Sequence, residues 1–100
     1  MEDYLRMERT YTLDVYTQRD IVMVRGENAR LWDDKGRMYI DCVAGIGVMN
    51  VGHSHPRVVE AIRRQAGLLM GCSNFFQNDR RALLARKLVE IAPSGERVFL

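Results

Sequence analysis

The chain has 100 residues, of which 47% are hydrophobic and 28% charged, and its net charge is +2. This length suits one small domain, and scattered charges near balance are typical of a solvated surface rather than of a nucleic-acid footprint. No apolar run approaches the roughly 20 residues that a membrane helix requires.

The first half of the chain predicts an arm followed by a small sheet. Residues 1–18 lack a firm pattern and indicate a short helix or an arm. From Ile21 the apolar period becomes two, which predicts strands at 21–25, 29–33 and 37–42 joined by the turns GEN and DDKG. Asn, Asp and Gly adopt turn conformations readily, so we expect a three-stranded antiparallel meander. One face would carry Val22, Val24, Leu31 and Tyr39.

The second half predicts two amphipathic helices. Pro56 suits a first helical turn and Gly71 a left-handed stop, which places a helix at 56–70. Its apolar face would carry Val58, Ala61, Ile62, Gln65, Ala66 and Leu69. Asn78 or Asp79 would cap a second helix, DRRALLARKLVEIA, with an apolar stripe of Leu84, Leu88 and Ile91.

The final residues, RVFL at 97–100, predict the beginning of a fourth strand. A β-branched apolar run without a following turn suggests an element cut off partway. Further strands would be needed to cover the two helices. We therefore expect this chain to be the opening piece of a longer protein.

The loop AGIGVMNVGHSHP, residues 44–56, admits three interpretations. His53 and His55 could begin a metal site, but no third ligand lies at a useful spacing, so we predict none. Gly45, Gly47 and Gly52 do not form a phosphate-binding motif, although free N–H groups at a helix start can bind an anion. The third interpretation is a loop that shapes the helix entry, with histidines bonded to the backbone.

A second candidate is the short loop CSNFFQ between the two helices. Its polar and aromatic side chains, Asn74, Phe75 and Phe76, could line a site, or the phenylalanines could fill a core. No residue of the chain can be selected as an acid, base or nucleophile from spacing alone.

The two cysteines, Cys42 and Cys72, lie outside any CxxC motif and are expected to be free thiols. The N-terminal run MEDYLRMERT is charged from its second residue, which excludes a secretory signal. Both features favour a cytoplasmic protein.

The segment GENARLWDDKGRMYIDCVAGIGVMNVGHSHPRVVEAIRRQ resembles the N-terminal part of class III pyridoxal-phosphate (PLP) aminotransferases. Their pattern is G-x-x-x-x-[LV]-W-D-x-x-G-x-x-Y-[IL]-D, a loop of small residues, and then G-H-x-[HN]-P. The later SNFF loop, the LARKL helix and RVFL also fit, so the resemblance covers roughly residues 11–100. Within the class, YIDCVAGIGVMNVGHSHP is most similar to acetylornithine aminotransferases and to relatives that act on carrier-bound lysine or ornithine precursors. The matching positions are Gly26, Leu31, Trp32, Asp33, Gly36, Tyr39, Ile40, Asp41, Gly52, His53, His55 and Pro56.

The resemblance implies an α/β protein of fold type I and a homodimer with active sites at the subunit interface. Residues 1–18 would form the arm, 19–55 the small-domain meander and loop, 56–78 the linking helix and active-site loop, and 79–100 the truncated start of the large domain. The full enzyme would move an amino group from an ω-amino donor to 2-oxoglutarate with PLP. PLP would be held mainly by residues beyond Leu100, and neither Lys35 nor Lys87 matches the family's Schiff-base lysine. Alone, the chain is predicted to be inactive.

The resemblance also implies substrate-binding roles for Ile46, Gly47, Asn74, Phe75 and Phe76. Many relatives have Tyr in place of Gln77 and Glu-Pro in place of residues 79–80, which leaves the substrate open. The segment YIDCVAGIGVMNVGHSHP also resembles 4-aminobutyrate aminotransferases, so a 4-aminobutyrate enzyme or a semialdehyde aminomutase is the alternative. An acidic amino-group carrier protein is an expected partner of the carrier-dependent relatives. Outside the enzymes, the alternative is a stand-alone interaction module.

Overall fold

The structure is a computed structural model that describes residues 2–13 and 15–100. It forms two compact units, of which the first ends at Ile62 and the second is Arg63–Leu100. The elements in chain order are α1 (Tyr4–Tyr11), β1 (Met23–Glu27), β2 (Arg30–Asp33), β3 (Met38–Ile40), α2 (Ala44–Gly47), α3 (Pro56–Ala66) and α4 (Asp79–Ile91).

Of the two alternatives predicted for the N-terminal residues, a short helix or an arm, the structure shows a helix, α1. Asp3 caps it, because its side chain accepts a hydrogen bond from the backbone N–H of Arg6 at 3.0 Å. The helix ends where Thr12 turns to an extended conformation. Met1 and Asp14, which belong to the predicted arm, lie outside the described residues.

The predicted antiparallel meander is confirmed, with the strand order β1-β2-β3. Leu31 in the central strand pairs with Gly26 on one side and with Tyr39 on the other. The connection between β1 and β2 is shorter than the predicted turn GEN. Strand β1 continues through Glu27, so only residues 28–29 lie between the two strands. Asn28 has a φ of 51°, which Asn tolerates better than most residues.

The prediction that Val24 lies on the inner face of the sheet is wrong. Val22, Leu31 and Tyr39 are half-buried, whereas Val24 is 57% exposed. The pairing register shifts between Met23 and Arg25, and such a β-bulge breaks the alternation of side chains between the two faces. The sequence pattern assumed an unbroken period of two.

The two predicted helices are confirmed, with shorter C-terminal ends. Helix α3 ends at Ala66 instead of residue 70, since Gly67 favours a stop and the backbone N–H groups of Leu68 and Leu69 both turn back to the carbonyl of Gln65. Helix α4 ends at Ile91, because a residue before proline is disfavoured in the helical region and Ala92 precedes Pro93.

The predicted fourth strand is not formed: residues 97–100 carry neither strand nor helix. A strand is defined by its pairing, and the sequence pattern could not show whether a partner strand lies nearby. Among the described residues no hydrophobic side chain is fully buried, and the one buried polar side chain is Asp33. None of the described helices combines the length and apolarity needed to span a bilayer.

Candidate functional site

The hairpin between β2 and β3 is organised by the carboxylate of Asp33, which is 2% exposed. One oxygen accepts the backbone N–H groups of Lys35 and Arg37 at 3.0 and 2.8 Å. The other accepts Nε of Arg37 at 2.7 Å and the hydroxyl of Tyr39 at 3.0 Å. All four bonds lie within one turn and its flanking strands, so Asp33 has a structural role.

The pKa of Asp33 follows from these contacts. Burial by itself raises the pKa, but the hydrogen bonds from Arg37, Tyr39 and Lys35 favour the ionised form and lower it to about 2. The carboxylate is therefore ionised at neutral pH, with its lone pairs already engaged. Sequence reasoning assigned the DDKG run to a turn but missed this role, which an Asp at the start of a tight turn could have indicated.

A second carboxylate, Asp41, closes the base of the loop that follows β3. Its Oδ2 lies 2.6 Å from Nε2 of His53, and its Oδ1 accepts the backbone N–H groups of Val43 and Ala44 at 2.9 and 3.0 Å. The side chains of Asp41 and His53 are only 7% and 18% exposed. One side chain thus contacts both the entry of the loop and a residue twelve positions later.

The pKa of Asp41 is also lowered to about 2, first by the hydrogen bond from His53 and then by the backbone N–H groups of Ala44 and Val43. An ionised carboxylate can only accept hydrogen bonds. Nε2 of His53 must therefore carry the proton in this pair. Sequence reasoning did not pair Asp41 with His53, because a separation of twelve residues across a loop gives no local signal of such a contact.

Between Asp41 and His53 the chain forms a left-handed turn, α2. All four of its residues have positive φ: Ala44 at 52°, Gly45 at 62°, Ile46 at 63° and Gly47 at 77°. For a β-branched residue such as Ile46 this is a genuine outlier. The turn is closed by hydrogen bonds from the N–H groups of Ile46 and Gly47 to the carbonyl of Val43, at 2.9 and 3.2 Å. The side chain of Ile46 is 90% exposed.

The two histidines of the loop have different partners. Nδ1 of His55 accepts the backbone N–H of Arg57 at 3.3 Å at the start of α3, as the helix-entry interpretation predicts. For His53 the expectation of a side-chain bond to the backbone is wrong, because its ring binds Asp41 instead. Among residues 2–13 and 15–100 no three His, Cys, Asp or Glu side chains come together as a possible metal site.

The second predicted group of site residues lies in the loop before α4. The guanidinium of Arg81 donates to the side-chain oxygen of Asn74 at 2.5 Å and to the carbonyl of Phe76 at 2.7 Å. Phe75 and Phe76 are 96% and 66% exposed, so within the described chain they are not core residues. Asn78 caps the helix by accepting the N–H of Arg81 at 3.0 Å, as predicted.

The predicted site residues belong to two different units. Ile46 and Gly47 lie in the first unit, and the loop of Asn74, Phe75 and Phe76 lies in the second. The residues of each group are exposed.

A cleft of about 940 Å³ lies elsewhere, between α1 and the segment that leads into β1. Arg9 pairs with Asp20 there, and Gln18 donates to Glu8 at 3.0 Å. Both pairs are solvent-exposed, and none of the predicted substrate residues lines the cleft.

The two lysines of the chain do not fit the cofactor that the resemblance implies. Lys35 is exposed in the β2–β3 turn, and Lys87 is 66% exposed and lies 3.6 Å from Glu90 on α4. A Schiff-base lysine is activated by desolvation or by a neighbouring cation, whereas both of these lysines are exposed and Lys87 is paired with a carboxylate. No chemical step through PLP is therefore assigned to these side chains.

The comparison with protein families identifies the class. The model of the family "Aminotransferase class-III" matches residues 12–100. The chain belongs to the class-III aminotransferase family, as the resemblance in the sequence predicted.

Two relatives are similar to this chain over more than nine-tenths of its length. The chain is 50% identical over 98 residues to the [LysW]-aminoadipate semialdehyde transaminase of Deinococcus radiodurans, covering 97% of this chain and 23% of that protein. It is 44% identical over 92 residues to the acetylornithine aminotransferase of Caldanaerobacter subterraneus, covering 92% of this chain and 23% of that protein. The chain thus spans about a quarter of the length of these relatives.

The structure agrees with this placement. The N-acetylornithine aminotransferase of Stenotrophomonas maltophilia superposes with a TM-score of 0.83 at 39% identity, over 95% of this chain and 24% of that one. An omega-aminotransferase from Paracoccus denitrificans superposes with a TM-score of 0.86 at 30% identity, over 98% and 24% of the two chains. The predicted fold class, the N-terminal part of an aminotransferase fold, is confirmed.

Proposed function

We propose that this chain is the N-terminal part of a PLP-dependent aminotransferase that moves an amino group from an ω-amino donor to 2-oxoglutarate. The observation that carries the proposal is the family match over residues 12–100, together with relatives named for acetylornithine and for [LysW]-aminoadipate semialdehyde. The donor would be N-acetylornithine or a carrier-bound lysine or ornithine precursor. PLP, when bound, would supply the electron sink of the reaction.

The burial pattern supports a role as part of a larger assembly. Amphipathic helices are stable when another layer covers their apolar face, yet Ile62 on α3 is 62% exposed and Leu84 on α4 is 50% exposed. No described hydrophobic side chain is buried. A stand-alone interaction module would need a core of its own, so this pattern favours the enzyme over that alternative.

For the substrate, we assign Ile46 and Gly47 as an apolar wall and Asn74, Phe75 and Phe76 as a second group of contacts. The high exposure of Ile46 and Phe75 leaves both side chains available to a ligand. The amide of Asn74 would form hydrogen bonds to polar groups, and its bond to Arg81 fixes its orientation. The main PLP-binding residues would lie beyond Leu100.

Two macromolecular partners belong to the same proposal: a second subunit that completes the active site, and an acidic amino-group carrier protein. Basic side chains outnumber acidic ones in residues 63–100, whereas acidic side chains are more numerous in residues 1–62. An excess of positive charge accelerates the association with an acidic partner. The cytoplasm is the proposed location.

The test is an assay of the full-length product of the gene, purified with PLP. We expect glutamate to form from 2-oxoglutarate with N-acetylornithine or a carrier-bound donor, and more slowly with 4-aminobutyrate. Faster turnover of 4-aminobutyrate would favour that alternative enzyme, and isomerisation of a semialdehyde without 2-oxoglutarate would favour the aminomutase. Absence of glutamate with every donor would refute the proposal.

The location of the cofactor has a separate test. Borohydride reduction of the PLP-loaded protein, followed by peptide mapping, should place the pyridoxyl group on a lysine outside these 100 residues. A label on Lys35 or Lys87 would contradict that part of the proposal.

A further inference from the structure

We propose that Asp41 and His53 are positioning residues, whose hydrogen bond holds the left-handed turn α2 in the conformation that presents Ile46 to the substrate. The substrate-facing role of Ile46 rests on the proposed function. The role of the pair in holding the turn rests on the geometry of the loop.

The turn needs to be held because its backbone is strained. Ala44 and Ile46 carry Cβ atoms at φ values of 52° and 63°, a region that L-residues rarely occupy and almost never in consecutive runs. Such strain persists only where the surrounding structure enforces it. The side chain of Ile46 offers no compensation, since at 90% exposure it buries almost nothing within the described chain.

The Asp41 carboxylate enforces the turn from both ends of the loop. Oδ1 binds the N–H groups of Val43, which precedes the turn, and of Ala44, the first residue of the turn. Oδ2 binds Nε2 of His53, which lies after the turn. Breaking the second contact would leave the carboxylate held only by the N–H groups of Val43 and Ala44, so that nothing fixes it from the far side of the turn.

His53 can act as a fixed anchor because its backbone is paired with the sheet. Its N–H donates to the carbonyl of Asn28 at 2.9 Å, and its carbonyl accepts the N–H of Asn28 at 3.0 Å. Asp41 is likewise tied to the same β1–β2 turn, through its N–H and the carbonyl of Ala29 at 2.8 Å. Both partners of the pair are thus attached to one turn of the meander.

The experiment compares three variants of the full-length, PLP-loaded protein. His53→Ala removes the contact to Asp41. His53→Gln keeps an N–H donor at about the distance of Nε2 and should rescue the loss. Arg37→Gln is the matched control, because it breaks the charged hydrogen bond to Asp33 at the other end of β3.

The first measurement is hydrogen exchange of peptides that cover residues 43–49. We expect exchange of the Ile46 and Gly47 amides to rise about tenfold in His53→Ala, to stay near the wild-type rate in His53→Gln, and to be unchanged in Arg37→Gln. Unchanged exchange in a folded His53→Ala would overturn the proposal, whatever the activity. If His53→Ala does not fold, His53→Asn, whose donor falls short of Asp41, takes its place under the same criterion.

The second measurement is the donor half-reaction followed by the absorbance of the cofactor. If only about a tenth of the molecules present Ile46, the donor concentration for half-saturation rises about tenfold while the limiting rate is kept. A loss of folded enzyme would instead lower the amplitude at an unchanged half-saturation. An unchanged half-saturation in a variant whose exchange shows that most molecules have lost the turn would overturn the positioning role.

A double variant tests the link to strain. Ile46→Gly removes the side chain that disfavours positive φ, so adding His53→Ala should raise exchange less than it does in the wild type. Equal effects in the two backgrounds would contradict the argument. Absence of transamination by the wild-type protein would refute the proposed function. The exchange measurements would still test whether Asp41 and His53 hold the turn, because they do not depend on activity.

Discussion

Replacement of a glycine by alanine can lower the free energy of unfolding for two reasons: strain in a backbone with positive φ, and lack of space for the added methyl group. Four glycines of the chain differ in these two respects. Gly71 has neither a positive φ nor any atom within 4 Å of a Cβ, and Gly36 has a φ of 78° but open space. At Gly26 a Cβ would lie 2.7 Å from both Cβ and Cγ of His53. Gly52 combines a φ of 88° with a Cβ 3.0 Å from the backbone of Asn28. Alanine at each position therefore tests a different combination.

The magnitudes follow from these contacts. Gly71→Ala should leave stability within about 1 kcal/mol of the wild type, and Gly36→Ala should cost about 1 kcal/mol for its left-handed backbone. Gly26→Ala should cost about 2 kcal/mol, because the atoms it meets belong to the rigid base of the His53 ring. Gly52→Ala should cost the most, about 3 kcal/mol, since it meets backbone and is strained as well.

The assay is native-state hydrogen exchange of peptides from the meander and the loop, residues 23–53, in the full-length protein. Because tenfold in an opening equilibrium corresponds to about 1.4 kcal/mol, Gly52→Ala should accelerate exchange by about 100-fold and Gly36→Ala by about fivefold. Gly26→Ala should also loosen the turn α2, since a displaced His53 loses its contact to Asp41. If Gly26→Ala behaves like Gly71→Ala, the close approach of β1 to His53 is refuted.

Two further predictions concern the polar contacts. The pKa of Asp33 is lowered from 3.8 to about 2, so its stabilising contribution is complete above pH 3.8 and is lost as the pH falls towards 2. Hydrogen exchange of the β2–β3 hairpin should therefore rise over that range. Asp33→Asn should raise this exchange already at neutral pH, whereas Asp34→Asn at the exposed neighbouring position should not. Asn78→Ala should destabilise α4 by about 1 kcal/mol through loss of the cap, measured as faster exchange in residues 79–84, and Asn78→Asp should retain protection. An Asn78→Ala variant as protected as Asn78→Asp would contradict the capping assignment.

Local signals predicted the meander and the helices α3 and α4, but not the left-handed turn α2 or the absence of a fourth strand. The period of two found the meander, and Pro56 and Asn78 marked the starts of the helices where α3 and α4 begin. These features depend on residues close together in sequence, which is why pattern reasoning finds them. The error at Val24 arose from a β-bulge, a one-residue shift that composition alone does not reveal.

The candidate site was predicted less completely because its geometry is not local. The resemblance indicated Ile46 and Gly47 as residues of a loop that approaches the substrate, but nothing in the sequence showed that the turn is left-handed. The contact between Asp41 and His53 spans twelve residues and depends on how the loop returns to the sheet. Such pairings follow from the fold, so only the structure could reveal them.

Buried carboxylates, rather than buried apolar side chains, explain how the described chain can form a defined loop although it has no fully buried hydrophobic side chain. Among the described residues the least exposed side chains include Asp33 and Asp41, and each accepts several hydrogen bonds within a short stretch of chain. Hydrogen bonds are directional and therefore fix conformation, whereas apolar burial supplies most of the folding free energy. The apolar faces of α3 and α4 are largely exposed within the described chain, although Val59 and Leu88 are half-buried. It follows that the carboxylates of Asp33 and Asp41 set the shape of the hairpin and of the loop through directional hydrogen bonds.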